Sequence, residues 1–210
     1  EIDQIKAQFG TFWSPILFFS DSKNFRKKIS PDYKGHRNRK KPCGYKRVIR
    51  NLKIEYDVCI MPELEADDAM GIYATKVTGN IIVSPDKDMR QIPGKLYNLE
   101  DTTTITPEEG AKWHLIQTLA GDQTDGYSGV PGIGVKRAET LFNKEGYSWT
   151  TVVKAFEDKG LTEEDALLNA RLARILTVED YDSKRKEPKL WTPEASYTID
   201  DGTGLQDASD

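Results

Sequence analysis

Three short apolar runs in the first half of the chain each end next to carboxylates. The runs are PILFFS (15–20), YDVCIM (56–61) and NIIVS (80–84), and segments with helical spacing of apolar residues separate them. This alternation predicts an α/β fold, with a mainly parallel sheet flanked by helices. Open α/β sheets bind ligands at the carboxyl ends of their strands, so we expect the acids after the runs to meet at one edge.

One further strand and six helices complete the predicted pattern. The fourth strand is KLYNL (95–99). Thr106 is placed to cap a helix that has proline at its first position, and Thr162 with Asp165 forms a weak capping box. The predicted helices span 2–9, 45–53, 67–77, 106–120, 135–142 and 163–178. The chain has no internal repeat, and its 210 residues suit one domain or one domain with an appendage.

Eight acidic residues are candidate metal ligands. Six follow the three runs and two lie in the stretch GDQTD: Asp21, Glu65, Asp67, Asp68, Asp86, Asp88, Asp122 and Asp125. Carboxylates that converge without a counter-ion destabilise a fold, and Mg²⁺ or Mn²⁺ prefers such oxygen ligands. Eight acids exceed the needs of one ion. The pattern therefore favours two metal sites, which suit phosphodiester hydrolysis.

Each acidic piece also has an ordinary structural interpretation. Asp67 and Asp68 alone would more often be charges at a helix N-terminus, and Asp86 and Asp88 alone would more often be turn residues. It is the recurrence at three strand ends that favours the metal interpretation. An EF-hand is excluded, because the chain has no Asp-x-Asp-x-Asp-Gly run.

The segment 23–53 is strongly basic in a chain whose net charge is −4. It holds 13 Lys or Arg against one acid, Asp32, and it includes Tyr33, His36 and Tyr45, which could stack on bases. A nucleic-acid surface is therefore favoured over a merely solvated one. The charge density leaves this segment little to pack against, so we expect it to be mobile without DNA.

Composition narrows the class of protein and its surroundings. No apolar stretch approaches the ~20 residues of a membrane helix, so no membrane partner is expected. The two cysteines, Cys43 and Cys59, lie in unlike contexts, which favours a reducing, cytoplasmic location and argues against structural zinc. The last residues, 193–210, carry five acids and no base, and we interpret them as a disordered acidic tail.

A glycine-rich loop stands directly before a helix in the second half of the chain. The loop is GVPGIG (129–134) and the helix begins VKRAETLF. Backbone N–H groups at such a helix start bind phosphate, helped here by Lys136 and Arg137. Nothing in the loop can read a base edge, so binding should not depend on sequence. Alone the loop is weak evidence, but it follows GDQTDGYS.

Four stretches in combination resemble the structure-specific 5′-nuclease superfamily, the flap endonucleases and 5′→3′ exonucleases. They are FFSDSKNFRKKISPDYKGHR, ELEADDAMG, SPDKDM and GDQTDGYSGVPGIGVKRA, in the family's order. The likeness is closest to exonucleases of short-tailed bacteriophages. The stretch NARLARILTVEDY resembles the C-terminal helix of that phage group. The resemblance implies a PIN-like core (1–118) with a basic gateway segment (23–53), a helix–three-turn–helix motif (119–142), a helical part (143–192) and the tail (193–210).

The resemblance also implies roles for single residues. The first metal would be held by Asp21, Glu65, Asp67 and Asp68, and the second by Asp86, Asp88, Asp122 and Asp125, some of them through water. Lys34 and Arg37 match gateway residues that neutralise the scissile phosphate, and they join Asp67 and Asp86 as expected catalytic residues. The expected DNA contacts are Arg26, Lys34, Arg37, Gly129, Gly132, Gly134, Lys136 and Arg137. The loop at 129–134 would grip duplex backbone, around a K⁺ held by main-chain carbonyls.

The implied function is that of a metal-dependent 5′→3′ exonuclease and flap endonuclease, acting on DNA in phage replication or host DNA degradation. Its expected partners are DNA with a 5′ end or 5′ flap and an RNA primer in an RNA–DNA hybrid. The protein itself is expected to be a monomer in the bacterial cytoplasm. Two alternatives remain, a catalytically impaired DNA-junction binder and a PIN-type ribonuclease. The family opens with a strand ending in Asp-x-Asp that this chain lacks, and we expect truncation to account for it, since the first residue is not Met.

Overall fold

The structure is a computed structural model that describes residues 2–10, 12–37 and 42–193. All structural statements below concern these residues. The predicted acidic tail lies outside them except for Pro193, and so do residues 38–41 of the basic segment. None of the helices in the described ranges is long and apolar enough to cross a membrane.

Short strands and longer helices alternate along the chain, so the predicted α/β fold is confirmed. The strands are β1 (Ile16–Phe18), β2 (Asp57–Cys59), β3 (Ile81–Val83), β4 (Gly94–Tyr97), β5 (Thr102–Ile105), β6 (Tyr181–Asp182) and β7 (Glu187–Pro188). The α-helices are α1 (Ile2–Phe9), α2 (Arg26–Ile29), α3 (Tyr45–Glu55), α4 (Ala66–Lys76), α5 (Pro107–Ala120), α6 (Val135–Glu145), α7 (Trp149–Glu157) and α8 (Glu163–Ala173). A 3₁₀ helix spans Lys87–Gln91.

The strands pair in separate small sheets rather than in the single sheet that the pattern predicts. β1 lies parallel to β2, with Leu17 opposite Val58. β3 lies parallel to β4, which pairs antiparallel with β5, and β6 pairs with β7. β5 was not predicted. Its connection to β4 is too short for a parallel crossover, and the Asn98 side chain accepts hydrogen bonds from two backbone N–H groups of that turn.

The largest core cluster is built around α5. Trp113, Leu115, Ile116 and Leu119 of this helix are buried against α6, α7 and α8. The helix begins as predicted: the Thr106 side chain accepts from the Glu109 N–H in a reciprocal capping box, with proline at the first position. The helix α7 was not predicted, although Ser148 caps it.

The last helix is shorter than predicted. It begins after Thr162, as expected, but it ends at Ala173 rather than at residue 178. The physical reason is competition for its backbone N–H groups, because Ile175 donates to the Gln91 side chain and Leu176 donates to Asp68. Side chains from distant elements therefore hold residues 174–176 in an extended path.

Helix α4 connects the two sheets and this extended path. It contacts both β1 and β3. Gly71 lies so close to the carbonyl oxygen of Leu176 that any Cβ at this position would collide with it. The middle of α4 therefore packs directly against Ile175 and Leu176.

The basic segment 23–53 is not uniformly exposed, so the expectation that it has little to pack against is wrong for part of it. Phe25, Arg26 and Tyr33 are buried. The helix α3, in the second half of the segment, has no buried residue. The expected stacking of Tyr33 on bases is also wrong, since this ring is only 2% exposed.

Candidate functional site

The acid-rich stretch before α4 forms the start of that helix. Glu65 is the N-cap residue, and it forms a reciprocal capping box with Asp68. Asp67 lies in the first turn, where the helix dipole favours a negative charge. Capping therefore accounts for part of the crowding of carboxylates in this stretch.

Asp68 binds a cation that the chain itself supplies. The guanidinium of Arg26 donates to both carboxylate oxygens at 2.7 Å, and the two side chains are 3% and 0% exposed. Arg26 also donates to the carbonyl of Leu172 at 3.0 Å. Two predictions are therefore wrong in this structure: Arg26 is buried away from any DNA, and Asp68 is a structural partner of Arg26 rather than a ligand open to a metal.

A second group of contacts joins the basic turn around Lys34 to two predicted metal ligands. The Tyr33 hydroxyl lies 2.9 Å from Glu65 and 3.2 Å from Asp125. The Lys34 ammonium forms ion pairs with both carboxylates, and Arg37 forms one with Asp125. Burial opposes ionisation of Glu65, but Arg26 and Lys34 outweigh it and hold the pKa of Glu65 below its usual 4.5.

Four other acids have no cation partner of this kind. No salt bridge in the described part of the chain involves Asp67, Asp86, Asp88 or Asp122. Burial, followed by the charge of Asp86, raises the pKa of Asp67 to about 7. The same two causes raise the pKa of Asp88 to about 6. The charges of Lys34 and Lys87 act in the opposite direction, on Asp67 and Asp88 respectively, but they do not outweigh burial and the neighbouring carboxylates.

The four acids have donor atoms that suit a hard divalent cation. The Oδ1 atom of Asp88 is buried and has no hydrogen-bond partner among the residues that the structure describes. One oxygen each of Asp86 and Asp122 accepts a local backbone N–H, at 2.9 and 2.7 Å. Within the ranges that the structure describes, however, no three acidic, His or Cys side chains converge closely enough to hold an ion. The ligand chemistry fits such an ion, whereas the ligand shell is not preformed.

Asp21 follows β1 as predicted, but its carboxylate organises the backbone. One oxygen accepts the N–H of Ser22 at 2.6 Å and the other accepts the N–H of Glu63 at 2.9 Å. These bonds from Glu63 and Ser22 hold the pKa of Asp21 below its usual 3.8. Asp21 thus ties the end of β1 to the turn that precedes α4.

The glycine-rich loop separates α5 from α6, and its glycines have different roles. Gly129 is buried, its N–H donates to Asn169 at 3.0 Å, and a Cβ there would collide with the Leu119 carbonyl. The prediction that Gly129 contacts DNA is therefore wrong, because this glycine serves close packing. Gly132 and Gly134 are exposed.

The two basic residues that follow the loop are both on the surface. Lys136 and Arg137 are exposed in the first turn of α6, and Arg137 donates to the Gly132 carbonyl at 2.6 Å. Gly134 is the N-cap residue of this helix. The start of α6 therefore presents positive charge to solvent beside two exposed glycines.

Sequence reasoning missed the buried partners of the site. Neither the pairing of Arg26 with Asp68 nor the hydroxyl of Tyr33 between two acids was predicted. Gln91 was also missed: its side chain is buried and donates to Ala173 at 2.6 Å. The available signal was an arginine or glutamine beside apolar residues, which does not reveal a partner far away in the chain.

We predict that metal-free protein loses stability as pH rises, through Asp67. The raised pKa means that the folded state holds its proton from about pH 4 to about pH 7, while the unfolded state has released it. Stability must fall with rising pH in that window, by at most about 1.4 kcal/mol per pH unit. Urea unfolding in EDTA at several pH values, for wild type and Asp67→Asn, measures this effect.

The variant is the control, because asparagine cannot ionise and every other titrating group is shared. Buried His114 is one of those groups, since burial lowers its pKa to about 3 and gives an opposite dependence on pH. The stability of Asp67→Asn relative to wild type should therefore increase between pH 4 and pH 7. A difference that stays constant across this range contradicts the prediction.

An α/β fold with carboxylates and basic side chains gathered at the ends of parallel strands is typical of a metal-dependent nuclease. Comparison with known proteins agrees with this class. The family model for the 5′-3′ exonuclease N-terminal resolvase-like domain matches residues 9–114. The exodeoxyribonuclease of Enterobacteria phage T3 is 34% identical, over 85% of this chain and 73% of its own length. The exonuclease of Escherichia phage T7 is 33% identical over the same shares. The chain belongs to the 5′-3′ exonuclease family, and it is a nuclease.

Solved structures share the fold. The phage T5 5′-exonuclease with bound divalent zinc has a TM-score of 0.63 at 17% identity, covering 82% of this chain and 78% of that one. A phage T5 flap endonuclease in a pseudo-enzyme–product complex with DNA and metal ions has a TM-score of 0.64 at 18% identity. That comparison covers 82% of this chain and 77% of the other. At these identities the likeness establishes the fold alone.

Proposed function

We propose that this nuclease hydrolyses DNA phosphodiester bonds from a 5′ end or at a 5′ flap, and that it requires divalent metal. The observation that carries this proposal is the group of four carboxylates, near the Lys34–Arg37 turn, that form no salt bridge in the described part of the chain. Burial and mutual repulsion raise the pKa of Asp67 and of Asp88, which indicates that positive charge would be favourable here. The family membership supports the same activity.

Asp67, Asp86, Asp88 and Asp122 are the residues that would hold Mg²⁺ or Mn²⁺, in two sites, with Glu65 and Asp125 as neighbours whose charges act on Asp67 and Asp88. Asp21 is the further ligand that the resemblance to 5′-nucleases implies. Such ions, when bound, supply an activated water and stabilise the attacking and leaving oxygens. Lys34 and Arg37 would bind the scissile phosphate and neutralise charge that develops on it. Asp68 is removed from the expected ligand set, because Arg26 and a backbone N–H already bind it.

Duplex DNA would be held by the surface at the start of α6. The exposed side chain of Lys136 and the exposed glycines of the loop support this assignment. The same loop would hold a K⁺ through main-chain carbonyls, as the resemblance to 5′-nucleases implies. RNA primers in RNA–DNA hybrids would be a second substrate. We place the protein in the bacterial cytoplasm, in phage DNA replication or host DNA degradation, because exonucleases of phages T3 and T7 are among its relatives. We also propose that it acts as a monomer.

Replacing Lys136 by alanine is predicted to weaken DNA binding without slowing chemistry. Loss of one phosphate contact should lower affinity for all sequences and reduce the slope of log affinity against log salt by about one. Fluorescence anisotropy at several salt concentrations measures the slope, and single-turnover cleavage at saturating DNA measures the rate. Lys144→Ala is the matched control, since Lys144 lies in the last turn of the same helix and pairs with Glu145.

The opposite behaviour is expected of Lys34→Ala. It should lower the rate at saturating DNA more than it lowers affinity. If Lys136→Ala loses rate while Lys34→Ala loses only affinity, the scissile phosphate has been placed wrongly.

A catalytically impaired DNA-junction binder is the second candidate. Such a protein would bind the same DNA without hydrolysing it. The two candidates differ in one assay, the incubation of a labelled 5′-flap duplex with protein in Mg²⁺ and in EDTA. We expect cleavage at the 5′ flap in Mg²⁺ only, with a 3′-flap duplex of the same sequence left intact. Binding of the 5′-flap duplex without cleavage in Mg²⁺ would support the junction binder instead.

A further inference from the structure

The basic turn around Lys34 is hydrogen-bonded to the loop that carries Asp125. The Lys34 N–H donates to the Asp125 carbonyl at 2.7 Å, and the Arg37 Nε donates to the Thr124 carbonyl at 3.0 Å. A Cβ on Gly126 would lie 2.7 Å from the carbonyl oxygen of Asp32, so only glycine allows this approach without a shift. The two segments are about 90 residues apart in sequence, yet they form one interlocked unit.

Lys34 adopts an uncommon backbone conformation in this turn. Its φ angle is 54°, in the left-handed region that a non-glycine residue rarely occupies. Such a conformation persists when surrounding contacts hold it in place, and it is frequent at functional sites. Here it accompanies the ion pairs of the Lys34 ammonium with Glu65 and Asp125.

The ion pairs of the basic turn divide the acids of the site into two sets. The paired acids are Glu65 and Asp125, which have cation partners in Lys34 and Arg37. The unpaired acids are Asp67, Asp86, Asp88 and Asp122, for which the described residues provide no such partner. Paired and unpaired acids are neighbours, since the charge of Glu65 acts on Asp67 and that of Asp125 acts on Asp88.

We propose that Lys34 and Arg37 are exchangeable internal counter-ions: they neutralise the paired acids when no metal is bound, and they leave them for phosphate when a divalent ion binds. This inference rests on the proposed function, because it assigns the metal and the phosphate to the same site. One carboxylate cannot hold the ammonium of Lys34 and a divalent cation at full strength, because the two cations repel each other. Lys34 is 18% exposed and its acid partners are 17% exposed, so solvent screens this competition only in part.

The exchange makes metal binding and phosphate binding cooperative. An ion that takes over Glu65 or Asp125 releases a basic side chain, and a phosphate that captures that side chain frees a carboxylate for the ion. By linkage, each ligand must raise the affinity of the other by the same factor. The basic residues thus stay neutralised until metal and phosphate are both present, which limits binding of DNA in the absence of metal.

The first arm of the test measures Mg²⁺ binding by calorimetry without DNA. Lys34→Ala should bind Mg²⁺ about fivefold or more tightly than wild type, because no ammonium has to be displaced. Lys87→Ala is the matched control, since the exposed Lys87 acts on Asp88 through its charge but has no ion pair in the described chain. Equal gains in the two variants overturn the proposal, because they would reflect net charge alone. Arg37→Gln repeats the comparison at a more exposed side chain if Lys34→Ala fails to fold.

The second arm measures anisotropy of a labelled 5′-phosphorylated oligonucleotide in EDTA. Asp125→Asn should bind it about fivefold or more tightly than Asp122→Asn, which removes the same charge from the same loop but releases no basic side chain. Equal affinities of these two variants overturn the exchange. If wild-type protein binds no Mg²⁺ at all, the metal site of the proposed function fails together with this inference. Mg²⁺ binding with equal variant effects overturns the exchange alone.

Discussion

Asp86→Ala and Asp67→Ala are each expected to abolish cleavage of a 5′-flap duplex while leaving DNA binding measurable. Removing a partner that only orients a metal ligand costs 10- to 100-fold in many sites, so removing a ligand itself should cost more than about 100-fold. Neither side chain forms a salt bridge within the described chain, so the fold should tolerate both changes. Single-turnover rates at saturating DNA measure the loss.

The control for this prediction is Asp101→Ala, in the exposed turn between β4 and β5. This change removes a negative charge at a position outside the acid group, and it should leave the rate near that of wild type. Robust cleavage by both Asp86→Ala and Asp67→Ala would mean that the chemistry occurs elsewhere in the protein.

Arg26→Met is expected to lower the free energy of unfolding by about 3–5 kcal/mol, because it leaves the Asp68 carboxylate buried without its partner. Arg26 and Asp68 are 3% and 0% exposed, so neither can recover its interactions from water. The double variant Arg26→Met with Asp68→Leu should recover a large part of the loss, since it removes both charges. Urea unfolding followed by circular dichroism measures all three proteins.

The matched control is Lys28→Met, two residues further along the same helix. Lys28 pairs with Glu63, but these side chains are 67% and 29% exposed, so the loss should stay below about 1 kcal/mol. An Arg26→Met protein that keeps wild-type stability but loses DNA affinity would contradict the structure and restore the predicted DNA contact.

The parts of the fold that could be predicted from sequence are those with local causes. Thr106 followed by Pro107, and Thr162 followed by Asp165, set the starts of α5 and α8, and both capping boxes form. The end of α8 could not be predicted in this way, because Asp68 and Gln91 bind the backbone N–H groups beyond it. Those partners lie far away in the chain.

The candidate site shows the same division between local and distant causes. The acids after β1, β2 and β3 could be predicted, because their positions after the strands can be read from the sequence whichever strands pair. Which of the acids would be neutralised was not predictable: Arg26 and Lys34 lie in one basic run, but one is buried against Asp68 and the other lies at the site surface. Composition gives the charge of such a run and not the burial of each member.

Gly129 shows how a motif can be recognised while one of its residues is misassigned. The loop lies before α6, as the glycine spacing indicates, and Lys136 and Arg137 are exposed in the first turn. Gly129 instead packs against the end of α5, because its approach to Leu119 depends on a tertiary contact that spacing does not encode.

The measurement that tests the account most directly is anomalous X-ray diffraction from crystals of the protein grown with Mn²⁺. We expect anomalous peaks within about 2.5 Å of carboxylate oxygens of Asp67, Asp86, Asp88 or Asp122, with Arg26 still bound to Asp68. Lys34 should then have moved away from any paired acid that the metal contacts. Peaks that lie away from all four carboxylates, or a Mn²⁺ bound to Asp68 with Arg26 displaced, would contradict it.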